Sequence, residues 1–106
     1  ILARIAGAHD FTLFEFFETD EAGHARSMSR ALEALERLDA FLRALVEALP
    51  SGTALVVTSD HGNLEDLSVR NHTQNKVPLL AFGVPVESVA GVQDLMGVKR
   101  LLLSLS

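Results

Sequence analysis

Apolar positions early in the chain follow first a strand-like and then a helix-like spacing. Residues 11–18 (FTLFEFFE) are rich in aromatic side chains and partly alternate with polar ones, which predicts a strand. Across residues 25–49, apolar side chains recur at steps of three and four, with charged side chains between them. This spacing predicts one long amphipathic helix, and Pro50 marks its end.

The second half of the chain contains two strand-like runs before a final helical pattern. The apolar runs 53–59 (TALVVTS) and 77–83 (VPLLAFG) predict two strands, and residues 91–106 predict a closing helix. This order is typical of an α/β fold in which right-handed crossovers build a mostly parallel sheet. Three such apolar strands would leave exposed edges, so we expect residues 1–106 to be a single partial domain. The isolated chain would then self-associate through an exposed sheet edge.

Composition narrows the classes of protein to which the chain can belong. With 106 residues and 48% hydrophobic content, it can build one packed domain at most. The net charge is -5 and there is no cluster of lysine or arginine, which argues against a nucleic-acid partner. The apolar runs are too short for a membrane span, so we expect a cytoplasmic protein with no membrane partner. The absence of cysteine excludes thiolate metal sites.

Five residues with metal-binding side chains fall near the predicted strand ends. Asp20 and His24 follow the first strand, Asp60 and His61 end the second, and His72 lies in the loop before the third. Because the carboxyl ends of parallel strands meet at one edge of a sheet, we expect these side chains to lie together. Carboxylate and imidazole ligands suit Mn²⁺ or Zn²⁺, and neighbouring Asp and His residues can point at two different ions.

Each of these residues taken alone also has a purely structural interpretation. Asp20 and His24 can be ordinary first-turn residues of a helix, where the helix dipole favours Asp. His61, which precedes a glycine, can be a turn residue, and His72 can be a solvated side chain of a polar loop. His9 has no convergent partner in the sequence, so we assign it no function. The hypothesis of a metal site therefore depends on all the motifs occurring together.

The joint pattern resembles a known family. Asp-x-x-x-His at 20–24, Asp-His-Gly-Asn at 60–63 and His-Thr-x-x-x-Val-Pro at 72–78 occur here in this order. They resemble the metal-binding segments of the alkaline phosphatase superfamily, and most of all the metalloenzyme domain of cofactor-independent phosphoglycerate mutases. The resemblance covers roughly residues 11–83, and beyond these only a closing helix is shared. It implies a three-layer α/β/α architecture with a mostly parallel sheet, of which this chain would be an incomplete, C-terminal portion.

The resemblance also implies a division of the ligands between two divalent ions, Mn²⁺ or Zn²⁺. Asp20, His24 and His72 would bind one ion, and Asp60 and His61 would bind the other. In the family, a further Asp and the nucleophilic Ser or Thr come from N-terminal segments that this chain does not contain. It would therefore hold one ion or none when alone, and it would contribute no catalytic nucleophile.

Other polar residues suggest supporting roles and leave the activity open. Asn63, Thr73 and Asn75 are candidates for hydrogen bonds that orient the ligands, although a structural role in the loop fits them equally well. The resemblance implies a phosphomutase or a phosphatase for small phosphate esters, and residues 25–28, which read ARSM where the mutases carry a Thr-Gly pair, leave the choice open. The alternative is a metal-binding or interaction module without catalysis.

Overall fold

The computed structural model describes residues 1–105 of the chain as a mixed α/β structure. Over this range the chain forms five helices and two strands. In chain order they are α1 (Leu2–Gly7), α2 (Glu18–Ala25), α3 (Met28–Ala48), β1 (Leu55–Thr58), β2 (Leu79–Phe82), α4 (Val86–Ala90) and α5 (Leu95–Ser104).

The long helix predicted from the apolar spacing is confirmed as α3. It begins where the Ser27 side chain accepts the Arg30 backbone N–H at 3.3 Å, which is a normal N-cap. Arg26 takes a left-handed conformation with φ of 51°, which ends α2 and separates it from α3. The closing helix is also confirmed as α5, capped by Asp94 through the Gly97 N–H at 2.8 Å. Within residues 1–105, no helix has both the length and the apolar character needed to cross a membrane.

The two strands pair antiparallel, whereas the sequence predicted a mostly parallel sheet. Leu55 lies opposite Phe82, and Thr58 lies opposite Leu79. The Thr58 hydroxyl adds a hydrogen bond to the Pro78 carbonyl at 3.0 Å. The chain leaves β1 through one long loop and enters β2 from the same end, so the two strands run in opposite directions. A parallel, three-layer arrangement is not present in the described part of the chain.

The predicted first strand is wrong for the described structure. Residues 11–17 form no regular secondary structure, because no strand within residues 1–105 lies beside them to complete a ladder. The Phe14 ring instead stacks on Phe41 of α3, with centroids 5.1 Å apart. Phe11 and Leu13 remain 62% and 75% exposed. This segment therefore carries apolar surface that the described fold does not bury.

A small core joins α2 and α3 to the loop between the strands. Ala22, Ala31 and Ala34 are buried where the two helices meet, and their small side chains allow close helix contact. Leu64 and Leu67 of the loop pack against this cluster. The apolar contact holds the β1–β2 loop over α2, and the candidate site forms between them.

Candidate metal centre

Helix α2 provides two of the predicted site residues. Asp20 and His24 are four residues apart, so they share one face of the helix. His24 Nε2 lies 3.3 Å from Asp20 Oδ2. A carboxylate and an imidazole nitrogen thus meet at the side of α2 that faces the β1–β2 loop.

The turn after β1 provides the second pair. Asp60 Oδ1 lies 3.2 Å from His61 Nε2, and the same nitrogen lies 3.7 Å from Asp20 Oδ1. The Ser59 hydroxyl fixes the turn, since it donates to the His61 carbonyl at 2.7 Å and accepts the His61 N–H at 3.4 Å. Asp60 remains largely exposed, with 75% of its side chain accessible. His61 therefore lies between the two carboxylates, closer to Asp60.

His72 lies in the same loop, closer to β2, and is the fifth residue of the cluster. Its Nε2 lies 3.4 Å from Asp20 Oδ1. Its ring stacks on the His61 ring with centroids 3.4 Å apart, and lies 5.1 Å from the His24 ring. The structure thus brings all five residues together, with three imidazole Nε2 atoms from three chain segments around one Asp20 carboxylate.

The hydrogen bond of one His24 ring nitrogen indicates which of the two nitrogens can bind a metal ion. His24 Nδ1 lies 2.7 Å from the Arg70 carbonyl oxygen, which can only accept, so Nδ1 donates. In the neutral ring, Nε2 then carries a lone pair that faces the Asp20 carboxylate. A positive charge between the two atoms stabilises this contact, and either a proton on Nε2 or a metal ion supplies it. Metal-bound histidines have this arrangement, with the non-ligating ring nitrogen donating to a carbonyl or carboxylate.

The residues present fit a divalent ion by chemistry and by spacing. One ligand atom from each of Asp20, His61 and His72 lies within 4.8 Å of the others. Ligand atoms that share one Zn²⁺ at about 2.1 Å lie roughly 3.0 to 3.4 Å apart. The contacts of Asp20 with His24 and His72, at 3.3 and 3.4 Å, are in this range. Carboxylate and imidazole donors without thiolate match the ions that the sequence predicted.

Asn63 holds the Asp20 carboxylate in place. Its side chain is 4% exposed, and its Nδ2 donates to the Asp20 backbone oxygen at 3.2 Å and to Asp20 Oδ1 at 3.0 Å. Partial burial raises the pKa of Asp20, but the Asn63 hydrogen bond and the neighbouring histidines together lower it below its usual 3.8. Asp20 is therefore an anion at neutral pH.

Glu65 is a residue of the loop that the sequence analysis did not single out. Thr73 and Asn75 donate to its carboxylate and not to any of the five clustered residues. Hydrogen bonds, above all that from the Thr73 hydroxyl, lower the pKa of Glu65 from 4.5 to about 2. The only signal in the sequence is an acidic residue two positions after Asn63, which is too common to indicate a role.

The pKa of Glu65 predicts an acid-dependent loss of stability. A carboxyl whose pKa is lower in the folded than in the unfolded chain stabilises the fold fully above about pH 4.5, and this contribution is lost as the pH falls towards 2. We expect the melting temperature of Glu65→Gln to fall less than that of the unmodified chain between pH 6 and pH 3. Thermal denaturation followed by circular dichroism measures this, and identical pH profiles would contradict it.

Comparisons with known proteins agree with the composition of the site. A family model described as the Metalloenzyme superfamily matches residues 2–100. The 2,3-bisphosphoglycerate-independent phosphoglycerate mutase of Methylobacillus flagellatus is 29% identical over 97% of this chain and 22% of its own length. The mutase of the same name from Syntrophotalea carbinolica is 35% identical over 94% of this chain and 23% of its own.

A second group of relatives has a different printed name. The phosphopentomutase of Methylobacterium sp. (strain 4-46) is 45% identical over 63% of this chain and 16% of its own length. The chain thus spans less than a quarter of the length of each of these three relatives. The largest share is the 23% of the Syntrophotalea carbinolica protein. No solved structure matches the chain. The match over residues 2–100, together with these relatives, confirms the resemblance found in the sequence: the chain belongs to the Metalloenzyme superfamily.

Proposed function

We propose that this chain is the C-terminal, metal-binding part of a two-metal phosphoryl-transfer enzyme that acts on small phosphate esters. The observation that carries the proposal is the Asp20 carboxylate, which three imidazole nitrogens approach from three separate segments. Relatives named as phosphomutases support the phosphoryl-transfer class. A phosphomutase, which is an isomerase, and a phosphatase, which is a hydrolase, are both compatible with these residues.

The family resemblance suggests a division of the ligands between two ions, Mn²⁺ or Zn²⁺. Asp20, His24 and His72 would hold the first ion, since the two imidazoles each contact one oxygen of the Asp20 carboxylate. Asp60 and His61 would hold the second, since His61 Nε2 lies closer to Asp60 than to Asp20. Two divalent cations held there would neutralise the charge of a phosphate dianion and would lower the pKa of an attacking hydroxyl.

The described residues orient such a site but offer no nucleophile for it. Asn63 fixes the direction of the Asp20 carboxylate, and the Arg70 carbonyl fixes the ring of His24. The hydroxyl of Ser59, which precedes Asp60, is engaged with the His61 backbone on both its donor and acceptor sides, and that of Thr73, which follows His72, donates to Glu65. We therefore assign the nucleophile to another part of the full-length protein, and expect the chain alone to be inactive.

Apolar surface supports the proposal that these residues are one part of a larger domain. Phe17 and Phe82 are 63% and 50% exposed. A cleft of about 180 Å³ between α3 and the sheet is lined by apolar side chains, among them Leu42 and Leu80. Exposed apolar patches and open sheet edges favour association, so the chain alone is expected to self-associate.

Metal content measured on the chain and on the full-length protein tests the proposal. After titration with Mn²⁺ or Zn²⁺, elemental analysis should find two ions per full-length protein and one or none per isolated chain. Sedimentation of the same samples should show oligomers of the isolated chain. The full-length protein should also release phosphate from, or isomerise, small phosphate esters.

Two results would contradict the proposal in different ways. No bound ion in either sample would mean that the Asp and His residues form no metal site. Two ions with no turnover of any phosphate ester would favour the alternative, a metal-binding module without catalysis on the same fold.

A further inference from the structure

Glu65 connects two stretches of the β1–β2 loop through hydrogen bonds. Its Oε1 accepts from the Thr73 hydroxyl and from Asn75 Nδ2, the latter at 3.1 Å. Its Oε2 accepts the Asn63 backbone N–H at 2.6 Å. Both oxygens of the carboxylate are thus engaged by the protein, and Glu65 acts as a shared acceptor for the loop.

The partners of Glu65 are neighbours of two histidines of the metal centre. Thr73 directly follows His72, and Asn63 lies two positions after His61. The rings of these histidines stack at a centroid distance of 3.4 Å and an interplanar angle of 10°. Such stacking requires the two backbone stretches to be held close together. The hydrogen bonds of Glu65 span these same two stretches.

Close packing at Gly62 supports the same connection. The Thr73 N–H donates to the Gly62 carbonyl at 2.7 Å, forming an isolated antiparallel bridge. A Cβ atom at Gly62 would run into the Thr73 hydroxyl and the Glu65 carboxylate. The Glu65 side chain is therefore packed directly against the residue that follows His61.

A carboxylate suits this position because it accepts hydrogen bonds without donating any. It receives three N–H or O–H donors here, and a glutamine in its place would turn an NH₂ group towards at least one of them. We propose that Glu65 is a positioning residue that holds the His61 and His72 segments at the separation needed for metal binding. This inference rests on the proposed function, in which both histidines bind ions.

Glu65→Gln tests the inference because it keeps the size of the side chain and removes its charge and one acceptor. We expect it to weaken Mn²⁺ and Zn²⁺ binding by about tenfold, within the range typical of residues that orient ligands. Asp66→Asn is the matched control. Asp66 Oδ1 accepts only from the N–H and hydroxyl of Ser68, two residues away, so it joins no distant segments. We expect the control to change the affinity by less than about twofold.

Two further readouts separate positioning from a general effect on folding. Affinities are measured in the full-length protein by calorimetry, at a temperature where circular dichroism shows every variant folded. The visible spectrum of bound Co²⁺ should change in Glu65→Gln, because it reports ligand geometry. Thr73→Val should also weaken binding, and the double variant should be no weaker than Glu65→Gln alone, since both changes break one connection.

The outcomes distinguish this inference from the proposed function. Full-length protein that binds neither ion would overturn both. If the unmodified protein binds the ions and Glu65→Gln has the same affinity and the same Co²⁺ spectrum, the positioning role alone would be overturned. Equal losses in Glu65→Gln and Asp66→Asn would also overturn it, because the effect would then be one of loop charge.

Discussion

Replacement of Asp20 by alanine is expected to weaken Mn²⁺ and Zn²⁺ binding by more than about a hundredfold, beyond the loss typical of residues that only orient a ligand. The reason is the central place of this carboxylate. Its two oxygens lie 3.3 to 3.7 Å from the Nε2 atoms of His24, His61 and His72. Without it, three imidazoles would surround a site with no central anion. Activity of the full-length protein should be lost together with the metal.

Metal titration of the full-length protein by calorimetry checks this expectation. Asp39→Ala is the matched control, because it removes an acidic side chain that pairs only with Arg43, at 3.3 Å on the exposed face of α3. The control should bind metal as the unmodified protein does. Asp20→Asn preserves the side-chain volume and should still lose the ions. Metal binding by Asp20→Asn at unchanged affinity would remove Asp20 from the ligand set.

Replacement of Gly23 by alanine is expected to destabilise the fold by about 1 to 3 kcal/mol, as overpacking of a close contact does. A Cβ atom there would lie 2.5 Å from Asn63 Cγ and 2.8 Å from Asn63 Nδ2. Asn63 is 4% exposed, so its side chain is enclosed by neighbouring residues. Its displacement would also break the hydrogen bonds to Asp20. This cost opposes the helix propensity, which favours alanine over glycine by about 1 kcal/mol.

Urea denaturation of the unmodified chain and of Gly23→Ala measures the change in the free energy of unfolding. Gly91→Ala is the control, because Gly91 has an ordinary φ of -88° and a Cβ there would meet nothing within 4 Å. We expect this control to be neutral or slightly stabilising. In an Asn63→Ala background, which removes the obstructing amide, Gly23→Ala should lose most of its effect. A Gly23→Ala chain as stable as the original would mean that Asn63 is not held where the structure has it.

The tight fit at Gly23 shows that the site depends on a contact between residues that are far apart in the sequence. Asn63 and Asp20 are separated by 43 positions, yet the amide of one donates to both the backbone and the carboxylate of the other. Only a residue without a side chain at position 23 allows the loop to approach α2 this closely. The sequence shows a glycine just before His24, but it does not show what the glycine makes room for.

Sequence alone was sufficient for features that depend on local spacing. The three- and four-residue apolar period predicted α3 within a few residues, and the final apolar period predicted α5, because helix formation follows neighbouring side chains. Three short motifs also selected the five Asp and His residues that the structure brings together. Their assignment to two ions remains a prediction.

Tertiary structure decided the features that depend on distant partners. The antiparallel pairing of β1 with β2 follows from the path of a long loop, and residues 11–17 are irregular because a strand needs a neighbour that this part of the chain does not meet. The connections made by Glu65 and the space left by Gly23 likewise appear only when the loop lies against α2. Hydrogen-bond ladders and close packing join residues far apart in the chain, so no local pattern of hydrophobic and polar positions can specify them.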